Sequence, residues 1–422
     1  MATVERDSSG GDRDGRPTPG GWMARAFRSL RMRNYRLYAG AELVSITGTW
    51  IQVVAENWLV IRLTGSGLAL GVTTALQFLP LAVTAPYGGL LVDRLDKRRL
   101  LMVTQTCAGL LAATTGALIL FGLIRVWMVF VAALLLGVVN AVDNPARQAF
   151  TLEMVGPHDV ANAVALNNAI AMGGRAFGPA VSGILIAAAG LGWAFVFNAL
   201  TYVGVAVAMV FMKRADLFRT QPLPRGPRQV REGLTYAMTR TPVRDVLLIL
   251  ALVATFGFNF QIFLSLLVAK SFLRGAGAYG FVMSSMGVGA MLGSTVAAAG
   301  RDPTVGRVRA LAVAFGVTLA GVGLAPTLPS VFVASALMGA MASMFLSATA
   351  GSLQLLTEDQ YRGRVMALYT IGFLGTAPVG GPAMGYLAQV LSPRVALLLG
   401  AGASALAATI RSRSTKTAIR DR

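Results

Sequence analysis

Gly89-Leu90-Leu91-Val92-Asp93-Arg94-Leu95-Asp96-Lys97-Arg98-Arg99-Leu100-Leu101 is the stretch on which the fold turns. An apolar run ends at Val92, a short charged segment follows, and a second apolar run begins at Leu100. A chain that leaves a bilayer and re-enters it has this form. Gly89 lets the end of the first run approach a neighbouring helix closely. Asp93 is an acid at a helix end, placed to attract the positive N-terminus of another helix. An ordinary basic loop accounts for the arginines but not for the acid beside them.

The rest of the 422 residues repeats this alternation. Hydrophobic residues make up 55% and charged residues 13%, against about 25% charged in a soluble domain. No soluble surface accommodates such a composition, so the solvent is lipid. Twelve runs are long enough to cross as helices: 37–61, 68–92, 100–123, 127–148, 164–188, 192–212, 246–269, 279–299, 308–326, 330–353, 366–390 and 395–411. Membrane strands need only about ten alternating residues, so run length selects helices. The expected class is an all-α membrane protein with twelve transmembrane helices in two six-helix bundles. Residues 1–36 read as a disordered tail, 37–212 and 246–411 as the bundles, 213–245 as a linker and 412–422 as a second tail. Part of the linker, around 230–236, has the pattern of an amphipathic interfacial helix.

Orientation follows from the 37 Lys and Arg. With the N-terminus inside, 31 lie on the cytosolic side; Arg62, Arg125, Lys270, Arg274 and Arg394 lie outside, and Arg175 falls within a span. Both termini are therefore expected in the cytosol of a cell whose membrane the chain crosses many times. The net charge of +19 is then topogenic and faces lipid headgroups, and no nucleic-acid partner is implied. A single cysteine, Cys107, excludes a disulfide within the chain and reads as a small buried hydrophobe. His158 is the one histidine and lies in a polar stretch. No metal-ligand spacing, Walker motif or nucleophile–base set is present, so neither enzyme chemistry, a cofactor nor ATP-driven pumping is implied.

The 89–101 stretch resembles the signature G-x-L-a-D-r-x-G-r-K/R-x-x-l of the major facilitator superfamily through Gly89, Asp93, Arg94, Lys97 and Arg98. Asp96 departs from it by replacing the second glycine. Its place between spans two and three, the twelve spans and the six-plus-six division agree with that family. Gly174-Arg175-Ala176-Phe177-Gly178-Pro179-Ala180-Val181-Ser182-Gly183 resembles the antiporter signature of the same superfamily, with Ser182 replacing one glycine. Gly174, Gly178, Pro179 and Gly183 carry that match. The wording around 30–38, 48–66, 145–150 and 362–366 is similar to the bacterial exporter branch that includes enterobactin-type siderophore exporters and macrolide-type drug exporters.

The resemblance implies secondary export of a small organic molecule, siderophore or drug-like, by proton antiport with alternating access. A proton-coupled importer and a non-transporting sensor or scaffold on the same fold are the alternatives. The implied partners are that substrate, protons and the bilayer, and a monomer is the default for the fold. Proton coupling needs an embedded ionisable group. Glu56 is the first choice and Glu42 the second; fourteen residues apart, they share one helix face. Arg175 is a third candidate, with Glu42, Glu56 and Asp143 as its available partners. Asp143 and Arg147, four apart, form an expected intrahelical pair and are assigned with the 89–98 residues to a cytosolic latch. Gln52, Asn57, Phe256, Asn259, Phe260 and Gln261 are the substrate-pocket candidates, since aromatic walls with amides suit a bulky amphipathic solute.

Overall fold

The structure is a computed structural model that describes residues 25–84, 95–218, 229–300 and 302–410, with only the backbone considered at 229–231 and 233. Gly89, Asp93 and Arg94 lie outside the described residues, as do most of the N-terminal tail, 219–228 and the C-terminal tail. Every regular element among the described residues is helical. The helices are α1 (Arg33–Thr64), α2 (Gly67–Thr84), α3 (Lys97–Leu120), α4 (Val126–Ala189), α5 (Leu191–Val210), α6 (Gln229–Thr239) and α7 (Thr241–Phe256). Then come α8 (Phe260–Leu266), α9 (Ala276–Ala298), α10 (Val305–Leu324), α11 (Leu328–Leu356), α12 (Asp359–Leu374), α13 (Ala377–Val390) and α14 (Pro393–Ala407). Eight helical segments among the described residues are long and apolar enough to cross a membrane.

The apolar runs mark where lipid begins and ends, not where a helix must stop. The 64 residues of α4 are two helical arms that meet at a kink; one straight helix of that length would measure about 96 Å, three times a bilayer. The chain folds back at Gly156, whose φ of 72° and ψ of 174° lie in a region open essentially to glycine alone. The Phe218 ring closes the elbow, 3.0 Å from where a Cβ on Gly156 would stand, and the Phe218 N–H donates to Glu153 O at 2.8 Å. Gly156→Ala should therefore cost about 1–3 kcal/mol and lower the melting temperature of the detergent-solubilised protein. A melting temperature equal to that of the wild type would show that the elbow accepts a side chain.

Two expected spans are interrupted. The 246–269 run breaks between Phe256 and Phe260, where the Asn259 side-chain amide donates to Thr255 O at 2.7 Å and satisfies a carbonyl at the interruption. The 366–390 run breaks between Leu374 and Ala377, just before Pro378, which has no N–H to continue the ladder. Elsewhere the ends are capped locally. Gly65 ends α1 in the left-handed conformation, and Thr327 and Ser330 form a capping box at α11.

Within the first part of the chain, α1 packs on α4 and α5, and α3 packs on α5; in the second, α9 and α10 pack on α11, and α10 on α14. Two seams join the parts: α2 with α13, and the return arm of α4 with α9. Both are backbone-close. A Cβ on Gly71 would fall 2.3 Å from Gly381 O, and one on Gly280 would fall 2.3 Å from Pro179 O. The Ser66 hydroxyl donates to Gln389 Oε1 at 2.6 Å and closes the same end. This end holds the α1–α2 turn and is called the Gly65 end here; the opposite one, with the start of α3, is the Arg98 end.

Apolar side chains such as Leu110, Leu200, Val333 and Leu406 are exposed on the outer faces, as lipid requires. Cys107 belongs with them: the expectation of a buried thiol is corrected, because residue 107 shares a face of α3 with exposed Val103 and Leu110. The linker helix α6 is bound to the start of α12. Arg364 pairs with Glu232 at 2.8 Å, Arg240 with Glu358 at 2.7 Å, and the rings of Tyr236 and Tyr361 stack at 4.2 Å.

Candidate functional site

Tyr38, Glu42, Ser45, Thr49, Gln52 and Glu56 recur along α1 at intervals of three and four and so share one face. That face looks into the first part of the chain. From Glu42 to Glu56 it lines a cavity of about 140 Å³, with Gln105 from α3, Asn140, Asp143 and Arg147 from α4, and Asn198 and Tyr202 from α5. Glu42 and Glu56 therefore do stand on one wall. Ser45, Thr49 and Tyr38 were legible by the same spacing and were missed.

Arg147 organises one end of this cavity. Its Nε donates to Asp143 Oδ2, and its Nη1 donates to Glu42 Oε2 and, at 3.2 Å, to the Tyr38 hydroxyl. Asp143 Oδ1 accepts from Thr104 Oγ1 at 2.6 Å and Gln105 Nε2 at 2.9 Å. The intrahelical pair expected from the spacing is present, and α1 and α3 complete it. Asp143 and Arg147 thus form one cluster with Glu42; Gly89, Asp93 and Arg94, with which they were grouped, lie outside the described residues.

Glu56 is different. It is buried, at 9% exposure, and has neither a hydrogen-bond nor an ion-pair partner among the described residues. It faces both this cavity and a smaller apolar recess beside Leu111, Val129 and Phe195. Gln52, one turn before it, accepts from Asn198 Nδ2 at 2.7 Å. Asn57 does not line the cavity: its amide donates to Val53 O at 2.8 Å, because one residue beyond Glu56 is about 100° around the helix.

A second cavity, of about 500 Å³, lies between α1 and the two arms of α4. It shares Glu42, Ile46, Asn144 and Arg147 with the first, so the Glu42–Arg147 pair stands between the two spaces. Its wall is rich in amides: Asn144, Gln148, Asn167 and Asn168. Sequence reasoning did not place these in a pocket. Asn144 and Gln148 are four apart, which was a usable signal, but nothing local shows that the return arm turns Asn167 and Asn168 towards them.

Arg175 finds none of its expected acids. Its guanidinium carbon sits 5.6 Å from the Trp50 ring centre and 5.5 Å from that of Phe260, and its Nε is buried with no hydrogen-bond partner among the described residues. An arginine at bilayer depth costs about 2.5–3.5 kcal/mol, of which cation–π contact offsets about 0.5–2 kcal/mol.

The aromatic group around 256–261 mostly packs on itself. Phe258 is its centre, 5.0 Å from Phe315, 5.4 Å from Phe373 and 5.9 Å from Phe260. Phe256, Asn259 and Gln261 do not line the cavities described above. The Phe256 carbonyl abuts Gly400, Asn259 bonds its own helix, and the Gln261 carbonyl accepts from the Tyr279 hydroxyl at 3.4 Å. Phe260 alone reaches the embedded charges, through Arg175.

At the Arg98 end, Asp96 caps α3 by accepting from the Arg99 N–H at 3.0 Å, a role that needs a side-chain oxygen and no glycine. Lys97 pairs with Glu153 at 3.2 Å. Arg98 donates to Met209 O at 2.7 Å and Val210 O at 3.0 Å, covering the negative end of α5. The glycine-rich strip is two-sided. Gly174 and Gly178 admit Ile46 and Trp50 of α1, while the Pro179 carbonyl and Gly183 meet Gly280 and Gly277 of α9. Ser182 donates to Ile51 O at 2.9 Å, which explains the hydroxyl in place of a glycine. No group of three or more His, Cys, Asp or Glu able to hold a metal occurs among the described residues.

A family model described as transmembrane secretion effector matches residues 24–420. The staphyloferrin A transporter of Staphylococcus aureus (strain NCTC 8325 / PS 47) is 22% identical over 362 residues, covering 84% of this chain and 89% of that protein. The multidrug efflux pump Tap of Mycolicibacterium fortuitum is 27% identical over 389 residues, 85% of this chain and 92% of that one. Among solved structures, the nucleoside transporter NupG shares the fold with a TM-score of 0.72, over 89% of this chain and 97% of that chain, at 10% identity.

Proposed function

The chain belongs to the transmembrane secretion effector family of the major facilitator superfamily, and from that premise we propose that it exports a small organic molecule across the cell membrane in exchange for protons. The siderophore transporter and the multidrug pump among its relatives support a siderophore-like or drug-like cargo. The excess of basic residues at the Arg98 end supports a cytosolic placement of that end and of both termini. The Gly65 end is then the outer face, closed in this conformation by the two seams, and residues 37–212 and 246–411 are the two bundles that rock about them.

The observation that carries proton coupling is Glu56: a buried carboxyl with no cation beside it among the described residues, on the wall of a polar cavity. Its protonated and charged forms place different demands on the surrounding helices. Protonation therefore favours one facing state, and the substrate favours the other. Coupling requires that differential affinity and nothing more. The Glu42–Arg147–Asp143 cluster holds the far end of the same cavity, and the loop residues Gly89, Asp93, Arg94, Lys97 and Arg98 stabilise closure of the cytosolic end.

For a compound that wild-type proteoliposomes export, collapsing the pH gradient should stop net transport. Glu56→Gln should reduce gradient-driven export by about tenfold or more while exchange of labelled for unlabelled compound continues. Export that survives a collapsed gradient would remove proton coupling, and accumulation in place of depletion in expressing cells would reverse the direction.

A further inference from the structure

We infer that Arg175 is an anion-receiving point in the substrate pathway, so that the exported molecule carries a carboxylate or comparable organic anion rather than a cationic group. This rests on the exporter reading and narrows it.

Other arginines held within the helix array have oxygen partners. Arg147 has Glu42 and Asp143; Arg309 has Asp245 and Ile410 O; Arg394 has Gly323 O and Ala325 O. Among the described residues Arg175 has no oxygen partner, and its Nε is shut away from solvent as well. The rings of Trp50 and Phe260 lie against its charge but satisfy none of its five N–H donors. A planar fork with free donors is the geometry that takes a carboxylate in two parallel hydrogen bonds. The same unneutralised charge repels a cationic solute. The position also suits a cargo that must be felt by both bundles. Trp50 comes from α1 and Phe260 from the start of α8, and the Arg175 carbonyl lies 2.4 Å from where a Cβ on Gly287 of α9 would stand. An anion held there touches the seam that transport must open.

The test uses the full-length protein in proteoliposomes with three organic anions (citrate, calcein and 2,3-dihydroxybenzoate) and three cations (ethidium, tetraphenylphosphonium and rhodamine 6G). Wild type should move at least one anion and none of the cations. Arg175→Gln should lower anion flux by about tenfold or more, the scale of one lost charge-assisted hydrogen bond. Arg175→Lys, which keeps the charge and loses the fork, should fall between them and serves as the test if the glutamine variant does not fold. Cation flux in wild type that is unchanged in Arg175→Gln would overturn the inference, as would anion flux indifferent to both variants. If wild type moves nothing in the panel, the exporter reading is what suffers. The anion site is then judged by tryptophan fluorescence: saturable citrate-dependent quenching lost in Arg175→Gln supports it, and no quenching in wild type sinks it.

Discussion

Valine at Gly71 is expected to abolish transport while leaving the helices intact. The added Cβ would stand 2.3 Å from Gly381 O, 2.5 Å from Gly381 C and 2.6 Å from Pro382 Cα. All three are backbone atoms, so no side chain can rotate aside, and α2 and α13 must separate. Overpacking of this kind costs about 1–3 kcal/mol. That cost falls only on the conformation in which the seam is shut, so it shifts the balance between facing states by about five- to one hundred and fifty-fold. The readout is labelling of Thr74→Cys in a Cys107→Ser background with a membrane-impermeant maleimide. Thr74 is partly buried in the closed seam, its Cβ 3.5 Å from where a Cβ on Gly381 would stand. Labelling should rise about tenfold in the Gly71→Val protein as flux disappears. Equal labelling and flux with and without the valine would mean that the seam does not close during transport.

Arg147→Met is expected to be the most damaging single change to the polar core. It leaves Glu42 and Asp143 facing each other without the cation that both contact. Removing one member of a buried ion cluster costs about 3–5 kcal/mol, because the remaining charge keeps its desolvation penalty and loses its partner. The variant should melt well below wild type or fail to accumulate. Adding Glu42→Gln should recover part of the loss, since Asp143 still accepts from Thr104 and Gln105. Transport should stay absent in both. A single variant that melts like wild type would show that these groups are solvated rather than held as a cluster.

Much of the architecture was legible because lipid is a demanding solvent. Backbone groups with no water to bond must bond within a helix, so long apolar runs translate into helices almost one for one. The exceptions are instructive. The runs at 127–148 and 164–188 are separate helices, as expected, but both extend into the polar stretch between them and meet at the Gly156 kink. The runs at 246–269 and 366–390 each contain a break that hydropathy does not register. In the site, the i,i+4 pair of Asp143 and Arg147 and the common face of Glu42 and Glu56 followed from helix geometry alone. The acid partner expected for Arg175 did not materialise, and the Asn259 amide turned to its own helix backbone.

Hydropathy, loop charge and helical spacing alone determined the solvent, the helical class and the face of α1 on which the carboxylates sit. Those properties depend only on a residue's neighbours along one helix. Which helix lies opposite that face was decided by the tertiary structure. A 100° step per residue orients a side chain about its own axis and says nothing of what meets it. Glu42 therefore acquired Arg147, while Glu56 and Arg175 have no counter-charge among the described residues.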